Sequence, residues 1–176
     1  MTPITLIPEV PADTKGVVVF DTNAYRVLTY GLTLKNARAR AVQLRDLERG
    51  AGEMALESPL VVWELLTHLA DSSDPAYANC LNALVALGEH TREPQTGGIA
   101  MTMDSEWVVC HYLFNKVPPD AEANVTSLAG IACHIRDHAP SIMDPAVVSN
   151  IAAFSRVRWK SGNPRGWGTF RPSLTR

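Results

Sequence analysis

The sequence predicts a mixed α/β fold in which a parallel sheet is flanked by helices and the second half is rich in helix. Three observations carry this expectation. The short apolar run Gly16-Val17-Val18-Val19-Phe20-Asp21 stops at an acid and reads as a strand buried on both faces. A second short run, Met54-Ala55-Leu56-Glu57, reads as another strand. Between and after them lie segments of helical propensity, residues 34–49 and 59–70. Strand, helix, strand, helix is the order that yields parallel pairing, because parallel neighbours need a crossover.

Taken in order, residues 1–15 contain Pro3, Pro8 and Pro11 and read as an irregular lead-in. The first strand follows at 16–21, and residues 24–30 begin a helix that ends at Gly31. In helix 34–49, Leu34, Ala37, Ala41, Leu44 and Leu47 form the expected apolar stripe, and Gly50 and Gly52 form the stop. Ser58-Pro59 supplies an N-cap and a proline at the first helical position for helix 59–70, PLVVWELLTHLA. Beyond it, helices are expected from Asp74-Pro75 to Leu87, Asp104 to Asn115, Asp120 to His138 and Asp144 to Arg158. Each is opened by an aspartate suited to capping. Residues 99–103, IAMTM, are a candidate third strand. Residues 16–158 are thus read as one α/β domain and 159–176 as a basic tail rich in Gly, Pro and Arg. Two strands and a candidate third are few for a parallel sheet, so either some segments read as helices are strands, or the sheet is unusually small, or the chain is an incomplete piece of a larger domain.

Composition narrows the class. With 176 residues, 46% hydrophobic and 19% charged, the chain can bury a core without disulfides. No apolar run approaches the roughly 20 residues of a membrane span, and the N-terminus lacks the charge and apolar stretch of a signal peptide. Cys80, Cys110 and Cys133 make no disulfide framework and fit a reducing cytoplasm. The net charge of −2 hides an asymmetry: residues 156–176 carry six basic side chains and no acid, which leaves the remainder strongly acidic. A basic tail of this kind is compatible with a polyanionic partner.

Two carboxylates stand out. Asp21 ends the first strand, and ligands in open α/β sheets bind beyond the carboxyl ends of strands. Capping the next helix is the competing role. Glu64 is the only side chain charged at neutral pH in an otherwise apolar helix. A buried lone carboxylate needs a partner or a cation. Its competing roles are an exposed edge position or a pair with an arginine of helix 34–49. If the two strands are neighbours, Asp21 and Glu64 converge, and two carboxylates in one cleft suit Mg²⁺ or Mn²⁺.

Val17-Val18-Val19-Phe20-Asp21-Thr22-Asn23 resembles the opening of the PIN-domain nucleases, an apolar strand ending in Asp-Thr-Asn or Asp-Ser-Asn. Ser58-Pro59-Leu60-Val61-Val62-Trp63-Glu64-Leu65 resembles that family's second motif, a small residue before an apolar helix with an embedded glutamate. The resemblance covers residues 16–70. It implies a PIN-like fold and a metal-dependent endoribonuclease acting on RNA phosphodiesters. Asp21 and Glu64 would be ligands of Mg²⁺ or Mn²⁺, Asn23 would hold Asp21 or a bound water, and Thr22 would hydrogen-bond near the site. It also implies a role as the toxin of a toxin–antitoxin pair. RNA is then the expected partner, an antitoxin protein and a second copy of the chain are left open, and no membrane is involved.

The family's third acid has no clear counterpart. Asp104, which follows IAMTM, is the nearest match, and Asp120, Asp137 and Asp144 are alternatives. If the acidic site is incomplete, the alternative function is a non-catalytic PIN-like module that binds RNA or protein. A mostly helical interaction protein is a third reading. A zinc site at Cys110-His111 and Cys133-His134-x3-His138 is disfavoured by the wide gap between the cysteines and the absence of a His-Glu-x-x-His pattern. Trp159, Trp167 and Phe170 alternate with arginines in the tail, which suits stacking on single-stranded nucleic acid; a solvated tail is the plainer reading. Basic residues of helix 34–49 or of the tail are expected to hold the RNA backbone.

Overall fold

The computed structural model describes residues 11–103, 112–115 and 121–140, with the side chains of 121 and 122 left aside. The described elements are β1 (Gly16–Val19), α1 (Thr22–Thr29), α2 (Leu34–Ala51), β2 (Glu53–Leu56), α3 (Pro59–Leu69), α4 (Tyr77–His90) and α5 (Ala121–His138). The result is a mixed α/β fold with a small parallel sheet. The strands pair in the register Gly16↔Glu53 to Val19↔Leu56. Residues 99–103 extend the sheet by a single parallel bridge, Glu57↔Met101, rather than a full strand. There the Glu57 amide donates to Ala100 O at 2.9 Å and the Thr102 amide to Glu57 O at 2.7 Å.

Local chemistry explains the element ends. The Ser58 hydroxyl accepts from the Leu60 amide, and Pro59 occupies the first helical turn of α3, as expected. Gly52, at φ 82°, closes α2 in the left-handed conformation that glycine adopts without penalty, whereas Gly50 stays within the helix. Asp74 does not cap α4. Its Oδ1 accepts from the Ala76 amide in the turn before the helix, and α4 starts at Tyr77 with no side-chain cap.

Helix α4 is the centre of the core. It packs against α1, α2, α3 and α5, and residues Leu84 to His90 are all buried. Tyr25, Leu65, Leu66, Leu69, Leu128 and Ile135 close around it.

Two expectations about burial are corrected. β1 is covered on one face only: Val17 and Val19 are 48% and 49% exposed. A continuous apolar run does not by itself reveal whether both faces are covered. On α2, Leu47 is 73% exposed, because the inward position one residue on is taken by Glu48, which bonds His90 at 2.6 Å. Polar contacts replace the far end of the expected stripe. Arg38 pairs with the buried carboxylate of Glu89, Arg45 donates to Glu89 O at 3.1 Å, and Arg49 donates to Arg92 O. These three arginines are bonded to the end of α4 and the residues just after it, and among the described residues none pairs with Glu64.

Candidate functional site

The carboxyl end of β1 leads directly into α1, and β2 leads through Glu57 and Ser58 into α3. Because the strands are parallel, both helices start at the same rim of the sheet. A cleft of about 450 Å³ opens there, and its lining includes Asp21, Thr22, Asn23, Arg26, Glu64 and His68. Asp21 and Glu64 therefore face one space. A smaller hollow, about 210 Å³, lies toward the opposite, amino end of β2 and is lined by Arg49, Glu53 and Arg92. Arg49 is bonded to the Arg92 carbonyl there. The cleft at the strands' carboxyl ends, which brings Asp21 and Glu64 together, is taken as the candidate site.

Asp21 plays both roles that its position suggests. Its Oδ1 accepts from the Ala24 amide at 2.7 Å, capping α1, while the residue lines the cleft. Glu64 is half-buried, and its Oε2 accepts a hydrogen bond from the Thr22 hydroxyl. This bond ties α1 to α3, and it comes from Thr22 rather than from Asn23, which lines the cleft beside it. Among the described residues neither Asp21 nor Glu64 is in an ion pair.

The cleft also holds two basic side chains that the sequence reading did not single out as ligand contacts. Arg26 lies one turn beyond Thr22 on α1, and His68 one turn beyond Glu64 on α3. Their spacing, four residues after each polar group, is the signal that identifies them. The Arg26 Nε is buried and has no hydrogen-bond partner. The His68 Nδ1 lies 2.8 Å from Asp74 Oδ2. The Ala76 amide and His68 together hold the Asp74 carboxyl below its ordinary range.

A second acid was missed. Glu57, directly after β2, is 0% exposed; Oε1 accepts from the Ser58 amide at 2.8 Å, and among the described residues Oε2 makes no hydrogen bond. Burial pushes its carboxyl up to about 8, against the smaller opposing effects of the Ser58 amide and Tyr25. The neighbouring Tyr25 hydroxyl lies 2.9 Å from His90 Nδ1. Because a carboxylate only accepts, His90 Nε2 donates to Glu48, which leaves Nδ1 to accept from Tyr25 in the neutral ring. Burial lowers the His90 pKa, with Glu48 opposing, and raises that of Tyr25.

The other candidate residues do not join the cleft. Asp137 pairs with Arg136 at 2.8 Å on α5. Asp104, Asp120 and Asp144, together with Cys110, His111 and the aromatic basic tail, lie outside the described residues. The His134 and His138 rings stack at 4.3 Å, and burial raises the Cys133 thiol. Among the described residues no group of three or more His, Cys, Asp or Glu side chains is placed to hold a metal ion, so neither a zinc site nor a third acid is found there. No helix among them is long and apolar enough to cross a membrane.

Compared with known proteins, the chain matches no family model, no curated protein and no solved structure.

Proposed function

We propose that the protein is a PIN-like, metal-dependent ribonuclease working at the cleft between α1 and α3. The observation that carries this reading is that Asp21 and Glu64, 43 positions apart, line one open cleft at the carboxyl rim of a parallel sheet, and among the described residues neither is ion-paired. The donor set suits a hard cation: carboxylate oxygens are available, and Mg²⁺ is commonly held by one or two carboxylates together with waters and substrate phosphate. Asp21 and Glu64 would hold the ion. When bound, it would supply activation of water and neutralisation of charge on the phosphodiester. The protein's own part is to fix the two acids, Asp21 through the α1 cap and Glu64 through Thr22. Hydrolysis would form a bond from water oxygen to phosphorus and break one phosphorus–oxygen ester bond, with a proton passing to the departing oxygen. A toxin restrained by an antitoxin is the cellular role that follows from this reading.

The test is cleavage of single-stranded RNA with added Mn²⁺ by the unaltered chain, Asp21→Asn and Glu64→Gln. Loss of activity in both variants supports the assignment, and equal activity in all three rejects it. The second reading, a non-catalytic RNA-binding module, is favoured by the absence of a third ligating side chain among the described residues. It predicts salt-sensitive RNA binding that survives Asp21→Asn, without cleavage.

A further inference from the structure

We infer that the Arg26 end of the cleft receives a backbone phosphate of single-stranded RNA, with His68 beside it; this rests on the ribonuclease reading above. The cleft has two chemically distinct ends. Asp21, Thr22 and Glu64 form the acidic end, and Arg26 and His68 stand one helical turn further along α1 and α3, roughly 6 Å away by helix geometry.

The protein leaves Arg26 without the hydrogen bonding that a buried guanidinium nitrogen normally finds. Its Nε is shielded from water and unbonded, and among the described residues no ion pair joins Arg26 to an acid. Asp74, whose charge reaches Arg26, is committed through Oδ1 to the Ala76 amide and through Oδ2 to His68. Arg26 as a whole is only half-buried and lines the cleft, so an anion entering there meets its guanidinium. A guanidinium matches two phosphate oxygens with parallel N–H bonds, which an acidic cleft without Arg26 would repel. Asp74 accepts from His68 Nδ1 and so leaves the Nε2 lone pair to accept from a sugar hydroxyl beside that phosphate. Three arginines of α2, Arg38, Arg45 and Arg49, are bonded to the end of α4 and the residues after it, and Arg40 donates to the Leu28 carbonyl at 3.4 Å.

The experiment measures anisotropy of a short labelled single-stranded RNA with the full chain, in EDTA so that metal-dependent cleavage is silent. Arg26→Gln is expected to weaken binding about tenfold and to reduce the slope of log K against log salt by about 0.7, the contribution of one phosphate contact on a single strand. Arg26→Lys should stay within about threefold of the unaltered chain. Arg26→Met, which keeps the packed stem, replaces Arg26→Gln if that variant melts early. Unchanged affinity and slope in a folded, uncharged variant overturn the inference.

Cleavage with Mn²⁺ separates this from the parent reading. Cleavage that requires Glu64, combined with affinity indifferent to Arg26, defeats the phosphate contact and leaves the nuclease reading standing. RNA binding that depends on Arg26, with no cleavage by the unaltered chain, supports the contact and defeats catalysis.

Discussion

The Thr22 hydroxyl donates to the Glu64 carboxylate across 42 positions of sequence, joining the first residue of α1 to the second turn of α3. This bond links the two helices at the acidic end of the cleft. Thr22→Val removes the donor but keeps the shape, leaving a half-buried carboxylate oxygen without that partner. We expect a loss of about 1–2 kcal/mol in urea unfolding, the low end of the roughly 1.5–3 kcal/mol of hydrogen bonds to charged groups because this one is only half-buried. Thr22→Ser should restore most of it. On the ribonuclease reading Thr22→Val should also weaken Mn²⁺ binding, read as a smaller rise in melting temperature with added ion.

Asp21 holds two roles that substitution can separate. Asparagine caps a helix about as well as aspartate, so Asp21→Asn should leave stability within about 0.5 kcal/mol, whereas Asp21→Ala should cost about 1 kcal/mol. Both remove the charge. If Asp21 binds a divalent ion, the unfolding free energy of the unaltered chain should rise by RT ln(1 + [L]/Kd) with added Mn²⁺, read as a rise in melting temperature that vanishes in both variants. A rise that persists in Asp21→Asn would place the ion elsewhere.

The two acids were legible in the sequence because each breaks an apolar pattern, Asp21 by ending a strand and Glu64 by interrupting a helix. Parallel order then implied that they share a rim. What escaped notice depended on three-dimensional bonding. Leu47 and Glu48 are adjacent on α2, and only the position of His90 decides that the acid faces inward. The arginines of α2 read as a solvent-facing, RNA-binding set, yet Arg38, Arg45 and Arg49 bond groups at or after the end of α4. Glu57 looked like the last residue of a strand. Its burial follows from alternation with Ala55 on the helix-covered face, but nothing local signals that a carboxyl would be tolerated there. The third strand shrank to one bridge because residues 99–102 meet the sheet only beside Glu57.

Arg38 clamps three helices. From α2 it pairs with Glu89 of α4 at 2.5 Å and donates to the Arg136 carbonyl of α5. The Glu89 side chain is 5% exposed, and its other ionic neighbour, Arg92, stands 3.7 Å away and is itself half-exposed. Removing Arg38 strands a buried charge, and breaking such a pair from one side costs about 3–5 kcal/mol when isolated. With Arg92 still near, Arg38→Ala should cost about 2–4 kcal/mol in chemical unfolding. Arg38→Ala combined with Glu89→Gln should cost less than the sum of the two single changes, a coupling that a double-mutant cycle reads directly.

Glu57 and His90 set opposite pH limits on stability. Burial raises the folded pKa of Glu57 to about 8, above its ordinary value near 4.5, so between those values the folded state holds a proton that the unfolded state has released. Stability from the neutral carboxyl is therefore complete below about pH 4.5 and is lost progressively as pH rises through 8. His90 has a lowered folded pKa, so below its ordinary 6.5 the unfolded chain binds the extra proton and stability falls as the medium is acidified. Well above pH 6.5 the histidine contribution is flat; the Glu57 slope then carries the decline, joined at more alkaline pH by Cys80 and Cys133, whose thiols burial raises. Unfolding free energy should thus decline between pH 6.5 and 8.5, and Glu57→Gln, uncharged at every pH, should flatten that decline while leaving the acid limb in place. His90→Gln should do the reverse. An alkaline decline of equal steepness in Glu57→Gln would show that another group carries it.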